Sequence, residues 1–310
     1  VSARSREARV LIDGRQVRLT NLDRVLWPED GITKGQLIDY LVEMAPAILP
    51  HLRERPLVLT RYPGGIHGEF FYQKNTPETA PDWLERFAHQ GSEDSRVIHY
   101  VLARSAADLA WLGNQAAIEI HPWFSRIDAP DLPDIAVFDL DPVEPAGFDE
   151  CRPIAKLFRQ ALAAMGVEGW LKTSGATGLH LYVPIQRGFS YRDIAWSVGR
   201  VSDVVHESLP AITTRVRKVA DRPPGTVYLD HLQNVRGKTL AMAYGPRPVR
   251  GAPVSTPIGW EELDTVVPAN NNLLSMRHRF GSAGDLFGPV AQPQAAQDWG
   301  QVMRYLGGPP

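Results

Sequence analysis

Ile135-Ala136-Val137-Phe138-Asp139-Leu140-Asp141-Pro142 is an apolar run that ends in two carboxylates two residues apart. Residues i and i+2 of a strand point to the same face, so Asp139 and Asp141 share one, separated by about 6–7 Å along the chain. Pro142 has no N–H to donate, so the strand stops there and the pair lies at a sheet's rim. Oxygen ligands at that spacing suit one or two hard divalent cations. An Asp-x-Asp also occurs in metal-dependent glycosyltransferases, polymerases and phosphatases, and as an ordinary solvated strand end. The pair by itself therefore names no reaction.

A chain of 310 residues holds one large domain or two packed subdomains. Its 44% apolar and 22% charged residues are those of a soluble globular protein. No apolar run approaches the roughly 18 residues that span a bilayer, and the arginine-bearing N-terminus has no apolar h-region. Cys151 is the only cysteine, which excludes an intrachain disulfide and a Cys-based zinc site. A reducing cytoplasm is the expected setting. The net charge of −2 argues against a uniformly basic nucleic-acid coat, but the charge is unevenly spread. Between Asp128 and Glu150 every charged side chain is acidic, whereas between Thr213 and Arg250 basic side chains dominate. One cation-binding and one anion-binding segment suit a metal–polyphosphate site, and two mutually neutralising surface faces read the same way.

There is no internal repeat, and no Gly-x-Gly-x-x-Gly or Gly-Lys-Ser/Thr phosphate loop, which disfavours Rossmann and P-loop chemistry. Four helices are signalled. Thr33-Lys34-Gly35-Gln36 is a capping box, with Leu37, Leu41, Ala45 and Ile48 then repeating on one face. Ser105 to Asp108 opens a second helix. Asp149 is expected to cap a third, which carries Ile154, Phe158 and Leu162 to a stop at Gly166. Ser190 to Asp193 opens the fourth, with Ile194, Val198, Val201 and Val205 inward. Strands are expected over residues 57–62, 70–73, 97–101, 117–121, 135–141, 179–183, 227–230 and 239–244. This irregular interleaving predicts an α+β (mixed α/β) protein and not a clean doubly wound sheet.

Further residues join the acidic pair. Ser174-Gly175-Ala176-Thr177-Gly178-Leu179-His180 places two glycines and two hydroxyls before a strand, where backbone N–H groups can face an anion. Leu179, Leu181 and Val183 then share the core face, and His180 shares the other with Tyr182; a tight turn beside a structural histidine fits equally. Asp230 ends the run Val227-Tyr228-Leu229, with Lys238 across a Gly-containing turn and Arg247 and Arg250 after the next apolar run. A third strand-end carboxylate beside such cations would complete a two-metal site with polyphosphate clamps, or be a capped turn beside surface charge. Lys34 stands in the first turn of a capped helix, where free N–H groups and the helix dipole favour an anion, and Arg24 precedes it by ten residues. Phe70-Phe71 offers an aromatic face to a base; adjacent side chains alternate, so one of the two is expected in the core.

Together these segments resemble the polymerase domain of bacterial DNA ligase D, in the archaeo-eukaryotic primase superfamily. The resemblance runs from Leu19-Thr20-Asn21-Leu22-Asp23-Arg24-Val25-Leu26-Trp27-Pro28 to about Leu263. It rests on Phe138–Pro142, on Ser174 through His180 to Pro184, and on Tyr228-Leu229-Asp230-His231-Leu232-Gln233-Asn234 leading to Lys238-Thr239. It implies a primase-like catalytic core with two packed sheets flanked by helices. The expected organisation is a single catalytic domain over 1–290, with a DNA-end phosphate site in about 1–125, metal and nucleotide binding in about 126–290, and a tail over 291–310 carrying one short helix.

The family pattern implies that Asp139, Asp141 and Asp230 hold two catalytic ions, Mn²⁺ or Mg²⁺. It makes His121, Ser174, Thr177, Gly178, His180, Gln233, Lys238 and Arg247 contacts to an NTP or dNTP, with His121 near the sugar. Arg24 and Lys34 correspond to the pocket for a DNA 5′-phosphate, and Phe70 and Phe71 to an aromatic pair near the template. Arg61 and Arg222 are further candidate contacts to DNA or phosphate. Three departures stand out: Thr177 where relatives often carry lysine, Arg24 for a common lysine, and His231 where an aromatic is common. There is no ligase Lys-x-Asp-Gly motif and no nuclease module, so the expectation is a stand-alone polymerase or an excised domain.

The implied activity is extension of DNA primers at gaps and double-strand breaks, with ribonucleotides preferred, in non-homologous end joining or gap repair. The implied partners are gapped DNA and DNA ends with a 5′-phosphate, an ATP-dependent DNA ligase and Ku, in a bacterial, nucleoid-associated cytoplasmic setting without a membrane. De novo priming, a non-catalytic end-aligning module and a sugar-nucleotide glycosyltransferase are the rival readings.

Overall fold

Two units make up the computed structural model, which describes residues 7–90 and 96–308. The first is Val1–Trp123 with Ala241–Ser255 and Ala269–Gly284; the second is Phe124–Leu240 with Thr256–Pro268 and Asp285–Pro310. The chain thus returns twice to the first unit.

The first unit starts with a hairpin of β1 (Ala8–Ile12) and β2 (Arg15–Leu19), turned by Asp13 and Gly14, both at positive φ. Asp-Gly adopts this mirror-image turn because its twist matches the strands. Val17 and Leu19 pack against Ile38, Ala107 and Ala110. After the short β3 (Val25–Trp27) and β4 (Ile32–Thr33) come α1 (Lys34–Glu43) and α2 (Ala45–Leu52). The Thr33–Gln36 capping box is present. The one expected helix is two, parted at Met44, since Pro46 lacks an N–H and sits in the first turn of α2. Next follow β5 (Leu57–Arg61), β6 (Phe71–Gln73), β7 (Arg86–Gln90), β8 (Val97–Val101), α3 (Ala106–Asn114) and β9 (Ala117–Pro122). The sheet order is β6-β5-β8-β7, with β9 also on β5. Ser105 and Asp108 form the capping box of α3. In the later segments, a helix spans Met276–Ala283.

The second unit contains β10 (Ile135–Pro142), α4 (Phe148–Ala164), β11 (Trp170–Thr173), β12 (Leu179–Pro184), α5 (Tyr191–Ser208), β13 (Thr213–Thr214), β14 (Val227–Asp230) and β15 (Pro257–Ile258). Its six-stranded sheet runs β13-β14-β10-β12-β11-β15, and only β13–β14 is parallel. Period-two alternation sends Phe138, Leu140, Leu171, Leu179, Leu181, Val183 and Leu229 into one core with Ile154, Phe158 and Leu162 of α4 and Ile194, Val198 and Val205 of α5. The opposite face carries Asp139, Asp141, Lys172, His180 and Asp230 alongside Val137 and Tyr182. Short helices follow at Gly288–Ala291 and Gly300–Tyr305.

Two further expectations fail. The cap of α4 is Gly147, whose N–H reaches the Glu150 carboxylate at 2.7 Å, so the cap stands two residues before Asp149 and the helix begins at Phe148. Residues 239–244 form no strand. They are apolar and buried beyond Thr239, but a turn from Met242 to Gly245 and a positive φ at Tyr244 keep them out of a sheet. An apolar run reports burial, not sheet pairing.

Candidate functional site

On the polar face of the second unit's sheet, Asp139 pairs in register with Asp230 on β14 and with His180 on β12, and His180 pairs with Lys172 on β11. Directly opposed residues hold their Cβ atoms about 4.5–5.5 Å apart. Lys172, His180, Asp139 and Asp230 therefore form one row across four strands, with Asp141 and Tyr228 the next pair along the same face. Lys172 Nζ is 2.7 Å from His180 Nδ1, and His180 Nε2 is 3.3 Å from Asp139 Oδ1. As an ammonium, Lys172 can only donate, which leaves the imidazole proton on Nε2, facing the carboxylate. All three side chains are buried.

Asp230 is held from its own turn. Oδ1 accepts from the Leu232 N–H at 2.9 Å and the Tyr228 hydroxyl at 3.4 Å, and Oδ2 from Gln233 Nε2 at 3.3 Å. Asn234 then extends the ladder past the end of β14, exchanging hydrogen bonds with the Val137 N–H and carbonyl at 2.9 and 2.7 Å. Asp141 accepts from Arg222 Nη1 at 2.8 Å, and that guanidinium lies 3.7 Å from the Tyr228 ring centroid.

Desolvation, and after it the Asp139 charge, holds the carboxyls of Asp141 and Asp230 above the usual carboxylate range. Three carboxylates on one face are an excess of negative charge that a hard cation relieves, and an all-oxygen donor set suits Mn²⁺ or Mg²⁺. The residues fit such ions. Among the described residues no three His, Cys, Asp or Glu side chains already converge as a ligand group. Asp141 instead remains committed to Arg222.

The Ser174–His180 segment is a turn that closes on itself. The Ser174 hydroxyl accepts from the N–H groups of Ala176 (3.1 Å) and Gly178 (2.9 Å), and the Ser174 N–H reaches the Gly178 carbonyl. Gly178 is required by close approach, because a Cβ there would collide with the Leu140 carbonyl. Thr177 and Lys238 are exposed. Without a strand at 239–244, Lys238 sits on irregular chain and not on a sheet neighbour of Asp230. His231, at the departure from the family pattern, packs on α5 at Gly199 and lies 3.1 Å from Arg215. Burial and then that arginine lower its pKa.

The remaining candidates belong to the first unit. Arg247 Nε is 3.1 Å from Glu119 Oε1, and the Tyr62 hydroxyl donates to Glu119 Oε2 at 3.0 Å. Glu119 thus ties Arg247 to β9, the strand that also carries His121. At the start of α1 the free N–H groups expected for an anion are not free. Lys34 N–H donates to Arg24, Gly35 N–H to Leu22, and Gln36 N–H to Thr33 Oγ1. Side chains carry the positive charge instead. Lys34, 4% exposed, is pushed down to about 8 by burial and then by Arg24 and Arg61. Arg61 lies 5.1 Å over the Phe71 ring, and Phe70 stacks on Tyr62 at 5.5 Å. Phe70 and Phe71 are both exposed, 63% and 45%, against the expectation that one is core, and Tyr72 joins them at 54%. Residue 70 precedes the strand proper, so alternation does not bind it.

The sequence assigns no role to Lys172, Glu119 or Tyr72, and Asn234 enters it only as the end of the Tyr228–Asn234 motif. Period-two alternation through Trp170-Leu171-Lys172-Thr173 is the signal that would have placed Lys172 on the face of His180.

The family model described as LigD, primase-polymerase domain, matches residues 33–287. The chain is 32% identical over 277 residues to the multifunctional non-homologous end joining protein LigD of Mycolicibacterium smegmatis, covering 89% of this chain and 36% of that protein. It is 30% identical over 251 residues to the bifunctional non-homologous end joining protein LigD of Bacillus subtilis, covering 81% and 40%. The chain thus spans well under half the length of these curated relatives. Among solved structures it matches the polymerase domain of Mycobacterium tuberculosis ligase D in complex with DNA at 31% identity and a TM-score of 0.82, covering 89% of this chain and 98% of that one.

Proposed function

Because the chain belongs to the LigD primase-polymerase family, a family of nucleotidyltransferases, we propose that it extends DNA primers by metal-dependent nucleotidyl transfer at gaps and double-strand breaks. The observation that carries this reading is the in-register row of Lys172, His180, Asp139 and Asp230 with Asp141 beside it. Asp139, Asp141 and Asp230 would hold two divalent ions, Mn²⁺ or Mg²⁺. Such ions, when bound, lower the pKa of the primer 3′-hydroxyl and offset charge on the triphosphate.

The chain's own residues prepare that chemistry. His180 orients Asp139 through Nε2, and Gln233 with the Leu232 N–H orients Asp230. Ser174 shapes the turn that brings Gly178 against β10, leaving Thr177 and Lys238 exposed for phosphate oxygens. Arg222, stacked on Tyr228, is a cation already at the carboxylates and suited to a phosphate once Asp141 releases it. His121 and Arg247 are proposed nucleotide contacts on the family resemblance, His121 reading the 2′-hydroxyl so that ribonucleotides are preferred.

In the first unit, Arg24, Lys34 and Arg61 form a cationic group for a DNA 5′-phosphate, and Phe70 and Phe71 offer exposed rings to bases. The names of the relatives place them in non-homologous end joining. That pathway, with an ATP-dependent ligase and Ku as partners, is proposed for this chain. Among the described residues no helix is long and apolar enough to cross a membrane.

The test is incorporation of labelled ribo- and deoxyribonucleotides on gapped, 5′-phosphorylated DNA with Mn²⁺ or Mg²⁺. Wild type should extend the primer and Asp139→Ala should not. Extension by Asp139→Ala at near wild-type rate would refute the metal assignment, and no incorporation by wild type would favour an end-aligning module.

A further inference from the structure

Three cations gathered in one place repel one another, so something in the fold must hold Arg24, Lys34 and Arg61 together before any phosphate arrives. The C-terminal end of α3 does so for two of them. Lys34 Nζ donates to the Asn114 backbone carbonyl and to Asn114 Oδ1, both at 3.0 Å. Arg61 Nε donates to the carbonyl of the next residue, Gln115, at 2.8 Å. The last carbonyls of a helix have no partner within it and carry the negative end of its dipole, so they attract cations without adding a formal negative charge. That distinction matters. A carboxylate in the same place would hold the lysine equally well but would cancel the charge that a phosphate needs.

Asn114 is itself anchored. Its Nδ2 donates to the Arg18 carbonyl at 3.1 Å, and its Oδ1 also accepts from the Thr20 N–H at 2.9 Å. One neutral side chain thereby ties the end of α3, the strand β2 and the start of α1 to a single point. An ammonium has three donors. Two are spent on Asn114, and the third has no partner among the described residues although Lys34 is 4% exposed.

We infer that Asn114 is the positioning residue of the 5′-phosphate site: with the α3 carbonyls it holds the Lys34 ammonium in place, charged side outward, while remaining neutral itself. This rests on the proposed reading of Arg24 and Lys34 as that site. Asn114 touches no DNA; it acts through Lys34.

The experiment measures binding to gapped DNA bearing a 5′-phosphate or a 5′-hydroxyl, for wild type, Lys34→Met, Asn114→Ala and Asn114→Asp, at pH 7 and pH 9. The readout is the phosphate-to-hydroxyl affinity ratio, in which a general loss of folding or DNA affinity cancels. Asn114→Ala removes one of two acceptors from a charged donor and should lower the ratio about five- to tenfold. Asn114→Asp keeps Oδ1 but adds a charge, so the ratio should fall at pH 7 as well. The charged groups that act on Lys34 are Arg24 and Arg61, both of which lower its pKa. A carboxylate at 114 opposes them, so in Asn114→Asp the ratio should no longer change between pH 7 and pH 9. A purely structural role would weaken both DNAs alike and leave the ratio and its pH dependence untouched, which overturns the inference. A wild type with no phosphate preference refutes the site itself. A preference lost in Lys34→Met but intact in both Asn114 variants refutes only the role of Asn114.

Discussion

Lys34 should make the proposed 5′-phosphate site sensitive to pH in a range where DNA itself does not titrate. Burial, then Arg24 and Arg61, push its pKa down to about 8. A bound phosphate dianion opposes both effects and restores a value near that of a free lysine, so binding takes up a proton. With a free-state pKa of about 8, roughly ten in eleven molecules are charged at pH 7 and roughly one in eleven at pH 9. In the bound state nearly all remain charged at both. The phosphate-to-hydroxyl affinity ratio should therefore be nearly full at pH 7 and below, halve near pH 8, and fall about tenfold between pH 7 and pH 9, about 1.4 kcal/mol. The 5′-phosphate, whose second pKa is about 6, stays a dianion throughout. Fluorescence anisotropy with paired gapped duplexes, at constant ionic strength because these contacts are screened by salt, reads the ratio directly. Lys34→Met should give a low ratio at every pH. Arg24→Gln removes one of the repelling charges, so the midpoint should move above pH 8 even as the ratio falls. A ratio that stays flat from pH 7 to pH 9 in wild type would show that Lys34 is not the group that meets the phosphate.

Three other outcomes follow from the second unit. Mn²⁺ should raise the Tm of wild type, and Asp139→Asn, which leaves the fold's shape intact, should lose both that shift and primer extension; a full Mn²⁺ shift in Asp139→Asn would exclude Asp139 as a ligand. In the metal-free protein the raised carboxyl pKa of Asp141 means the folded state binds its proton more tightly than the unfolded one. Its contribution is thus favourable below pH about 4 and is lost as pH rises through the folded value. Asp141→Asn should gain stability relative to wild type over that rise in urea titrations, and a difference independent of pH would show that Asp141 feels neither desolvation nor Asp139. Gly178→Ala forces a Cβ into the Leu140 carbonyl between Asp139 and Asp141, and should cost about 1–3 kcal/mol. Calorimetry should show a drop of several degrees with reduced extension, whereas an unchanged Tm would mean that β10 yields freely there.

Local sequence was enough for whatever depends on spacing along the chain. The Asp-x-Asp pair, the capping boxes at Thr33, Ser105 and Ser190 and the periodic faces of α4 and α5 follow from residues within one or two turns or strand repeats of each other. The pairing that brings Asp230, His180 and Lys172 to Asp139 is a matter of strand register between distant segments, which no local pattern specifies. Register also exposed the limits of local reading. Residues 239–244 have a strand's composition but a turn's backbone, and Phe70 escapes alternation because its strand begins one residue later. Likewise, α1 seemed from its capping box to offer free N–H groups to an anion, yet a loop from Leu22 to Arg24 takes two of them, and the positive charge is assembled instead on the far end of α3. Donors and acceptors are written in the sequence. Which of them remain unspent depends on what folds against them.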